Sequence, residues 1–147
     1  MSLKERLLED MKSAMKEKDV IKKNTIQMAR SAVLQDEKDG RTTLDDDGVL
    51  DIIAKEVKKR RDSLPEFEKS GRQELIDNLK TEIEVLMQYL PQQLTEEEIE
   101  VIVRQAVQDT GASSARDMGK IMQEVMPKVK GRADGRVINQ IVKKILG

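Results

Sequence analysis

The sequence contains no cysteine and no histidine, and its aromatic residues are one tyrosine and one phenylalanine. The missing cysteines and histidines exclude disulfides, thiol catalysis, zinc-finger ligand sets, histidine acid–base catalysis and Ser-His-Asp triads. With so little aromatic bulk, the core must be built from Leu, Ile, Val, Met and Ala. Among abundant Glu, Lys, Gln and Arg, these residues favour helices over sheets.

Long apolar runs are also absent. No run approaches the ~20 residues that a helix needs to cross a bilayer. The first twelve residues mix acidic and basic side chains and lack the apolar h-region of a signal peptide. Because the absence of cysteine also suits a reducing compartment, we expect a cytoplasmic protein without membrane association. A monomer is the default expectation.

Apolar residues recur at helical spacing along the whole chain, and no segment alternates strictly over strand length. The sequence therefore predicts an all-α protein. About four helices fall in residues 1–90 and three in residues 95–147, with Tyr89–Thr95 as the boundary. We expect an N-terminal helical bundle (1–90) and a small C-terminal three-helix domain (95–147), since 147 residues suffice for two small domains.

Side chains that cap helices mark most of the predicted boundaries. The predicted N-caps are Ser2, Asp19, Thr95, Ser114 and Asp134, and the predicted C-terminal stops are Gly40, Gly111 and Gly131. Pro65 and Pro127 are predicted to end or kink their helices, because proline lacks an amide hydrogen and its ring clashes with the preceding turn.

Charge is distributed unevenly along the chain. Residues 111–147 hold eight Lys/Arg against three Asp/Glu, a net charge of +5, whereas residues 1–110 hold 19 against 25, a net charge of −6. A basic end on an acidic chain is typical of contact with an anionic partner.

Two motifs that would bind ligands fail on spacing. If Gly48 were the glycine of a calcium loop, Thr43 and Ala54 would occupy the first and last ligand positions. Gly119-Lys120 resembles the end of a phosphate loop, but Ile121 stands where Ser or Thr is needed. The acidic residues interleave with Lys and Arg at helical spacing, which favours solvated faces over catalytic pairs. We therefore expect no catalytic residues, no cofactor and no metal.

Two further patterns have alternative interpretations. The run Lys58–Arg61 indicates a solvated helix face more readily than an accessory basic patch. Met118, Met122 and Met126 are better explained by core packing than by a groove for a partner.

The turn Lys130–Gly135 is the best candidate for a binding site. A helix ends at Gly131 and the next begins at Asp134, so free amides and cations lie close together, an arrangement that favours phosphate. The alternative is ordinary capping, with C-terminal lysines that complement the helix dipole. The candidate RNA-binding residues are Lys120, Lys128, Lys130, Arg132, Arg136, Lys143 and Lys144.

Several stretches carry a family resemblance. They are Ser114–Met122, Met126-Pro127, Lys130–Gly135 and Tyr89–Thr95, with Val137, Asn139 and Val142-Lys143. These motifs resemble the YqeY-like family, and the likeness covers essentially the whole chain. It implies an all-helical protein with an N-terminal bundle and a C-terminal three-helix domain.

The C-terminal part is also similar to the tail of the B subunit (GatB) of the tRNA-dependent amidotransferase, best at Met118–Met122 and Lys130–Asn139. That resemblance implies contact with tRNA. The chain lacks the large domain that performs the phosphoryl step in GatB, and it shows no amidase Ser-Lys signature. Carbon–nitrogen ligase activity with glutamine as donor would therefore be implied only through the shared tail.

Three functional hypotheses follow. The first is an accessory module that binds tRNA or another RNA, linked to tRNA-dependent amidation or translation, without catalysis of its own. The second is a protein-interaction adaptor for an aminoacylation or amidation complex, suggested by the acidic, aromatic-poor N-terminal part. The third is a component of an amidotransferase reaction, although no residue set supplies a nucleophile or an ATP site.

Overall fold

The computed structural model describes all 147 residues. It contains seven α-helices and one 3₁₀ turn (Ala115–Asp117) and no β-strand, so the all-α prediction is confirmed. The helices are α1 (Leu3–Lys16), α2 (Val20–Gly40), α3 (Asp46–Ser70), α4 (Gln73–Met87), α5 (Glu96–Thr110), α6 (Met118–Val129) and α7 (Gly135–Leu146).

Residue contacts separate the chain into two compact units. The N-terminal unit is Met1–Leu90 and contains α1 to α4, and the C-terminal unit is Pro91–Gly147 and contains α5 to α7. That residues 1–90 and 95–147 are domains that fold independently stays a prediction.

The N-terminal unit encloses a core to which all four helices contribute. Leu7 of α1, Ile26 of α2, Ile53 of α3 and Leu86 of α4 are almost completely buried in it. Tyr89, the single tyrosine of the chain, closes this core just after α4.

The C-terminal unit has a smaller core that is entirely aliphatic. Each of its helices contributes residues at helical spacing, which turns one apolar stripe per helix inward. The buried members are Ile99, Val103, Ala106, Ile121, Val125, Val129, Ile138 and Val142.

Four of the five predicted N-caps form the expected hydrogen bond: Ser2, Asp19, Thr95 and Asp134. Thr95 and Glu98 complete a reciprocal capping box. The prediction for Ser114 is wrong, because its side chain makes no capping bond. Instead the carboxylate of Asp117 accepts a hydrogen bond from the Ser113 amide at 3.0 Å, and a 3₁₀ turn leads into α6.

Neither proline ends its helix, which was one of the two predicted outcomes. Helix α3 continues through Pro65 to Ser70, and α6 continues past Pro127 to Val129. Both prolines are exposed, so water can satisfy the carbonyl that each proline leaves without a backbone donor.

Only some of the left-handed residues that follow a helix are glycines. Gly111 and Gly131 have φ of 69° and 73°, as expected for C-terminal stops. Gly40 instead stays helical, and Arg41 adopts the left-handed conformation with φ of 51°.

Candidate nucleic-acid interface

Helix α7 presents the clearest basic face of the C-terminal unit. Ile138 and Val142 are fully buried, which turns the opposite side of the helix toward solvent. Arg136 and Lys143 lie on that outward side seven residues apart, and both are exposed. Asn139, between them on the same side, is also exposed. This face carries two cationic side chains and the amide group of Asn139.

The two candidate lysines of α6 lie on other parts of the surface. Ile121, Val125 and Val129 form the buried stripe of this helix, and Lys120 and Lys128 are exposed away from it. The ammonium of Lys128 is 3.8 Å from a carboxylate oxygen of Glu124, one turn earlier. Part of its charge is therefore already balanced within α6.

The Lys130–Gly135 turn is tied to the start of the C-terminal unit. The side chain of Arg132 donates from Nε to the carbonyl of Gln92 at 3.1 Å, and the Arg132 carbonyl accepts from the Leu94 amide at 2.8 Å. The amide nitrogen of Gln93 donates both to the Pro91 carbonyl, at 3.0 Å, and to the Gly131 carbonyl, at 2.9 Å. We call this set of contacts between Pro91–Leu94 and Gly131–Arg132 the clasp.

The clasp changes the interpretation of the turn. Arg132 is half-buried and engaged with Gln92, so its guanidinium serves the fold in addition to any ligand. At the start of α7, the Asp134 carboxylate accepts from the Arg136 amide at 3.0 Å. The helix terminus therefore already holds one anionic group of its own, as the capping alternative predicts.

Lys144 lies at the edge of the exposed side of α7 that borders α5. It lines a groove of about 270 Å³ between α5 and α7, together with Glu96, Glu100 and Arg104. Arg104 donates from Nη2 to Glu100 at 2.8 Å. Because acidic side chains line this groove, Lys144 faces a mixed environment rather than a basic one.

The structure therefore brings two of the seven predicted residues, Arg136 and Lys143, onto one outward face. Lys120 and Lys128 lie on α6, and Lys130 is exposed at the end of that helix. Arg132 belongs to the clasp and Lys144 to the α5–α7 groove.

Methionines of α6 pack largely as predicted. Met118 and Met122 are half-buried against the C-terminal core, whereas Met126 is 40% exposed.

The run Lys58–Arg61 departs from the expected solvated face at Arg60, which is only 5% exposed. Arg60 donates to Glu56 and to Glu82, at 3.0 Å and 3.1 Å, forming an ion triad across α3 and α4. Sequence analysis missed this role. The signal was available, because Arg60 follows Val57 by three residues on the buried stripe and follows Glu56 by four.

Guanidinium groups also contact methionine sulfurs in the N-terminal unit. Arg60 donates from Nη2 to the sulfur of Met28 at 3.7 Å, and Arg61 donates to the sulfur of Met87 at 3.5 Å. A third contact joins Arg30 to Met11 at 3.8 Å. Thioether sulfur is a weak acceptor, so these contacts mainly orient the side chains.

Tyr89 forms a second polar cluster that the sequence did not reveal. Its hydroxyl donates to the carboxylate of Asp10, and the guanidinium of Arg6 lies over its ring, 4.6 Å from the centroid. Burial raises the pKa of the Tyr89 hydroxyl far above its ordinary value, and the hydrogen bond to Asp10 raises it further. The cluster joins the end of α4 to α1.

The side chains assemble no metal centre, since no three Asp or Glu residues lie together in a way that could hold an ion. No helix is both long enough and apolar enough to cross a membrane.

Comparison with protein-family models matches residues 4–146 to the family described as Yqey-like protein. Among curated proteins, the chain is similar to altered inheritance of mitochondria protein 41, mitochondrial, from two yeasts. It is 34% identical to the Lachancea thermotolerans protein over 65% of this chain and 51% of the relative, and 36% identical to the Kluyveromyces lactis protein over 56% and 45%. The chain thus spans about half the length of these relatives.

A further relative is an uncharacterized protein of Schizosaccharomyces pombe, 30% identical over 61% of this chain and 70% of the relative.

The expectation of a cytoplasmic protein is contradicted by the similarity to the altered inheritance of mitochondria proteins, because those yeast relatives are named as mitochondrial. The features behind that expectation, a missing h-region and missing cysteine, are equally compatible with a mitochondrial protein.

Proposed function

The chain belongs to the YqeY-like family, and from that membership we propose that it is an accessory protein whose C-terminal unit binds RNA, in the first place tRNA, without catalysis of its own. The observation that carries the proposal is the net charge of +5 on residues 111–147 against −6 on the rest of the chain. The outward face of α7, with Arg136 and Lys143, is the surface where we place the contact.

Binding of this kind recognises the phosphates and the shape of the RNA rather than its bases. The C-terminal unit contains no Phe, Tyr or Trp, so it has no aromatic ring that could stack on an unpaired base. Lysine and arginine on an exposed helix face instead neutralise phosphates and release counterions. We therefore expect affinity for tRNA that depends strongly on salt and weakly on base sequence.

The resemblance of the C-terminal unit to the GatB tail supports tRNA as the ligand and tRNA-dependent amidation or translation as the setting. Under this proposal Lys120, Lys128 and Lys130 extend the contact beyond α7. Arg132 and Lys144 contribute less, because the clasp and the acidic groove already engage them. A part in the amidotransferase reaction itself is supported by this resemblance alone.

The test is tRNA binding over a salt series. Each phosphate contact adds roughly 0.7 to 0.9 to the slope of log K against log salt, so the double variant Arg136→Glu/Lys143→Glu should lower that slope by about 2. The matched control is Lys58→Glu/Lys59→Glu on α3, which reverses two exposed lysines of the N-terminal unit. An unchanged slope in the first variant, or no binding by the parent protein at low salt, overturns the proposal.

An adaptor function has one observation in its favour. Met15 is 56% exposed and lines a groove of about 400 Å³ at the α1–α2 turn with Lys18 and Lys23. An apolar side chain flanked by lysines suits an acidic protein segment. Affinity capture from cell extract tests this function. A protein partner that is still recovered after RNase treatment, but not with the Met15→Glu variant, favours the adaptor. Recovery of tRNA alone favours the first proposal.

A further inference from the structure

The end of the N-terminal unit where α1 passes into α2 concentrates positive charge. Residues 12–23, which we call the tip, hold five lysines against two acidic residues, a net charge of +3, whereas the rest of residues 1–110 holds 14 Lys/Arg against 23 Asp/Glu, a net charge of −9. The lysines are the exposed Lys12, Lys16 and Lys18 and the half-buried Lys22 and Lys23. The ion pairs of this unit engage Lys4, Arg6 and Arg60 and leave all five without a carboxylate partner. The tip is therefore a basic spot on an acidic part of the chain.

Two large apolar side chains protrude from the same tip. Met15, in the last turn of α1, is 56% exposed, and Val20, the first residue of α2, is 61% exposed. All six residues from Met15 to Val20 are exposed, whereas Ala14 just before them is fully buried. Apolar side chains surrounded by lysines are typical of protein segments that contact anionic bilayers. An RNA would use the lysines alone, because its phosphates offer apolar side chains no favourable contact.

The backbone of the tip satisfies its own hydrogen bonds. The amides of residues 17–19, between the two helices, donate to carbonyls of the last turn of α1 at 2.9 to 3.2 Å. Lys18 closes the turn in the left-handed conformation, with φ of 60°. At the start of α2 the Asp19 carboxylate accepts from the Lys22 amide at 3.1 Å, so one of the two acidic groups of the tip is engaged as a cap. Because backbone groups near lipid need internal partners, the tip can approach a bilayer without a change of fold.

We propose that the tip binds the surface of an anionic lipid bilayer, with Met15 and Val20 at the interface and the lysines on lipid phosphates. Each lysine near such a surface raises the affinity roughly fivefold. Lysine stems are long and flexible, so their ammonium groups reach the phosphates while the apolar side chains lie deeper. Lys12 lies one turn, about 6 Å, behind Lys16 and thus within a Debye length of the surface. The tip belongs to the N-terminal unit, so this binding does not depend on RNA binding by the C-terminal unit.

An acidic protein segment, which the adaptor function would place here, uses less of the tip. Of the five lysines, only Lys18 and Lys23 line the groove at the α1–α2 turn. A segment bound in that groove would leave the other three charges unused, whereas a lipid surface is broad enough to attract all five. The expectation of a protein without membrane association rested on the lack of long apolar runs, which only a segment that crosses the bilayer needs.

Cosedimentation of the full chain with vesicles tests the proposal. The parent protein should bind vesicles of phosphatidylcholine and phosphatidylglycerol in equal parts, and not vesicles of phosphatidylcholine alone. Lys12→Ala/Lys16→Ala should weaken binding about tenfold or more, because it removes two charges while alanine keeps α1 helical. The matched control Lys55→Ala/Lys58→Ala removes two exposed lysines of α3 and should bind as the parent does. Equal binding to both kinds of vesicle, no binding to either, or equal losses in the two variants overturns the proposal.

Tryptophan fluorescence tests the insertion of the apolar side chains, since the chain has no tryptophan of its own. Met15→Trp places one indole at the tip, and its emission should move to shorter wavelength when the anionic vesicles are added, because the ring leaves water for the interface. The control Val101→Trp, at a position of α5 that is 69% exposed, should keep its emission unchanged. A shift of Met15→Trp with poly-glutamate but not with vesicles favours the adaptor and overturns the lipid proposal, as does a shift that the control shares.

Discussion

The two units are stabilised in different ways. The N-terminal unit buries polar groups, Arg60 among them, and holds Tyr89 through a hydrogen bond to Asp10. The buried residues of the C-terminal unit are all aliphatic, and its polar contacts, those of the clasp among them, are made by exposed or half-buried residues. Directional polar contacts thus fix the arrangement of the N-terminal unit, whereas the C-terminal unit depends on the packing of a small core.

Breaking the ion triad should have the largest effect. Arg60→Ala leaves the carboxylates of Glu56 and Glu82, whose side chains are 12% and 25% exposed, without their cation. The expected loss in the free energy of unfolding is about 3–5 kcal/mol, measured by urea denaturation. Lys59→Ala, the exposed neighbour, should change it by less than about 0.5 kcal/mol.

A triple variant sharpens the same comparison. Replacing Glu56, Arg60 and Glu82 by Leu, Met and Leu removes all buried charge and should recover most of the stability lost in Arg60→Ala. A loss below about 1 kcal/mol in Arg60→Ala would contradict the importance of the triad.

A cavity in the C-terminal core should have the next largest effect and should reveal whether the units unfold separately. Ile121 is fully buried, and Ile121→Ala should cost about 2–5 kcal/mol. The single tyrosine lies in the N-terminal unit, so tyrosine fluorescence reports on that unit alone while far-UV circular dichroism reports on both. We expect the dichroism to show an early transition that fluorescence lacks. Coincident transitions would show one cooperative unit.

Removing the Tyr89 hydroxyl should have a smaller effect. Tyr89→Phe keeps the ring and deletes the hydrogen bond to Asp10, which costs about 1–2 kcal/mol. Urea denaturation at neutral pH, followed by circular dichroism, measures the change. Ser63→Ala on α3 deletes a half-buried hydroxyl that donates to the Lys59 carbonyl and should cost less, because water can satisfy that carbonyl near the surface.

The same residue predicts a pH dependence. The folded-state pKa of Tyr89 is raised above its ordinary value, first by burial and then by Asp10. A raised pKa favours folding while the hydroxyl is protonated, so this stabilisation is present below the unfolded pKa of about 10 and is lost as pH rises through the folded pKa. The free energy of unfolding of the parent protein should therefore fall at alkaline pH more steeply than that of Tyr89→Phe.

Loosening the clasp should have the smallest effect. Gln93→Ala removes two surface hydrogen bonds, to the carbonyls of Pro91 and Gly131, at an expected cost of about 1 kcal/mol. The loss should be confined to the C-terminal unit and appear as faster amide hydrogen exchange at the Lys130–Gly135 turn. The control Gln92→Ala removes only a side chain, because Arg132 contacts the Gln92 backbone.

Sequence reasoning predicted the local features of the fold well. Caps such as Asp19 and Thr95 act within one turn, so their partners are visible in the sequence. The sequence did not decide whether Pro65 and Pro127 end their helices, because the tolerance of a proline depends on whether water reaches its turn. The place of Arg60 on the buried stripe beside Glu56 was visible in the sequence, but its contact with Glu82, 22 residues away, was not.

The candidate site was predictable only in part, for the same reason. The outward positions of Arg136 and Lys143 follow from the apolar stripe of α7. The engagement of Arg132 does not, because its partner Gln92 is 40 residues distant in the chain. Charge counts identified the basic segment, but the division of its cations among a helix face, a clasp and a groove required the tertiary structure.

The guanidinium–sulfur contacts of the N-terminal unit bear on oxidative damage. A peroxide converts a methionine thioether to a sulfoxide, whose oxygen is a far better hydrogen-bond acceptor than sulfur. At Met11, Met28 and Met87 an arginine donor already lies next to the sulfur. An oxidised side chain there would gain a charge-assisted hydrogen bond where most buried methionines lose their packing. The arginine donors would therefore offset part of the packing loss that sulfoxide formation brings at these three positions.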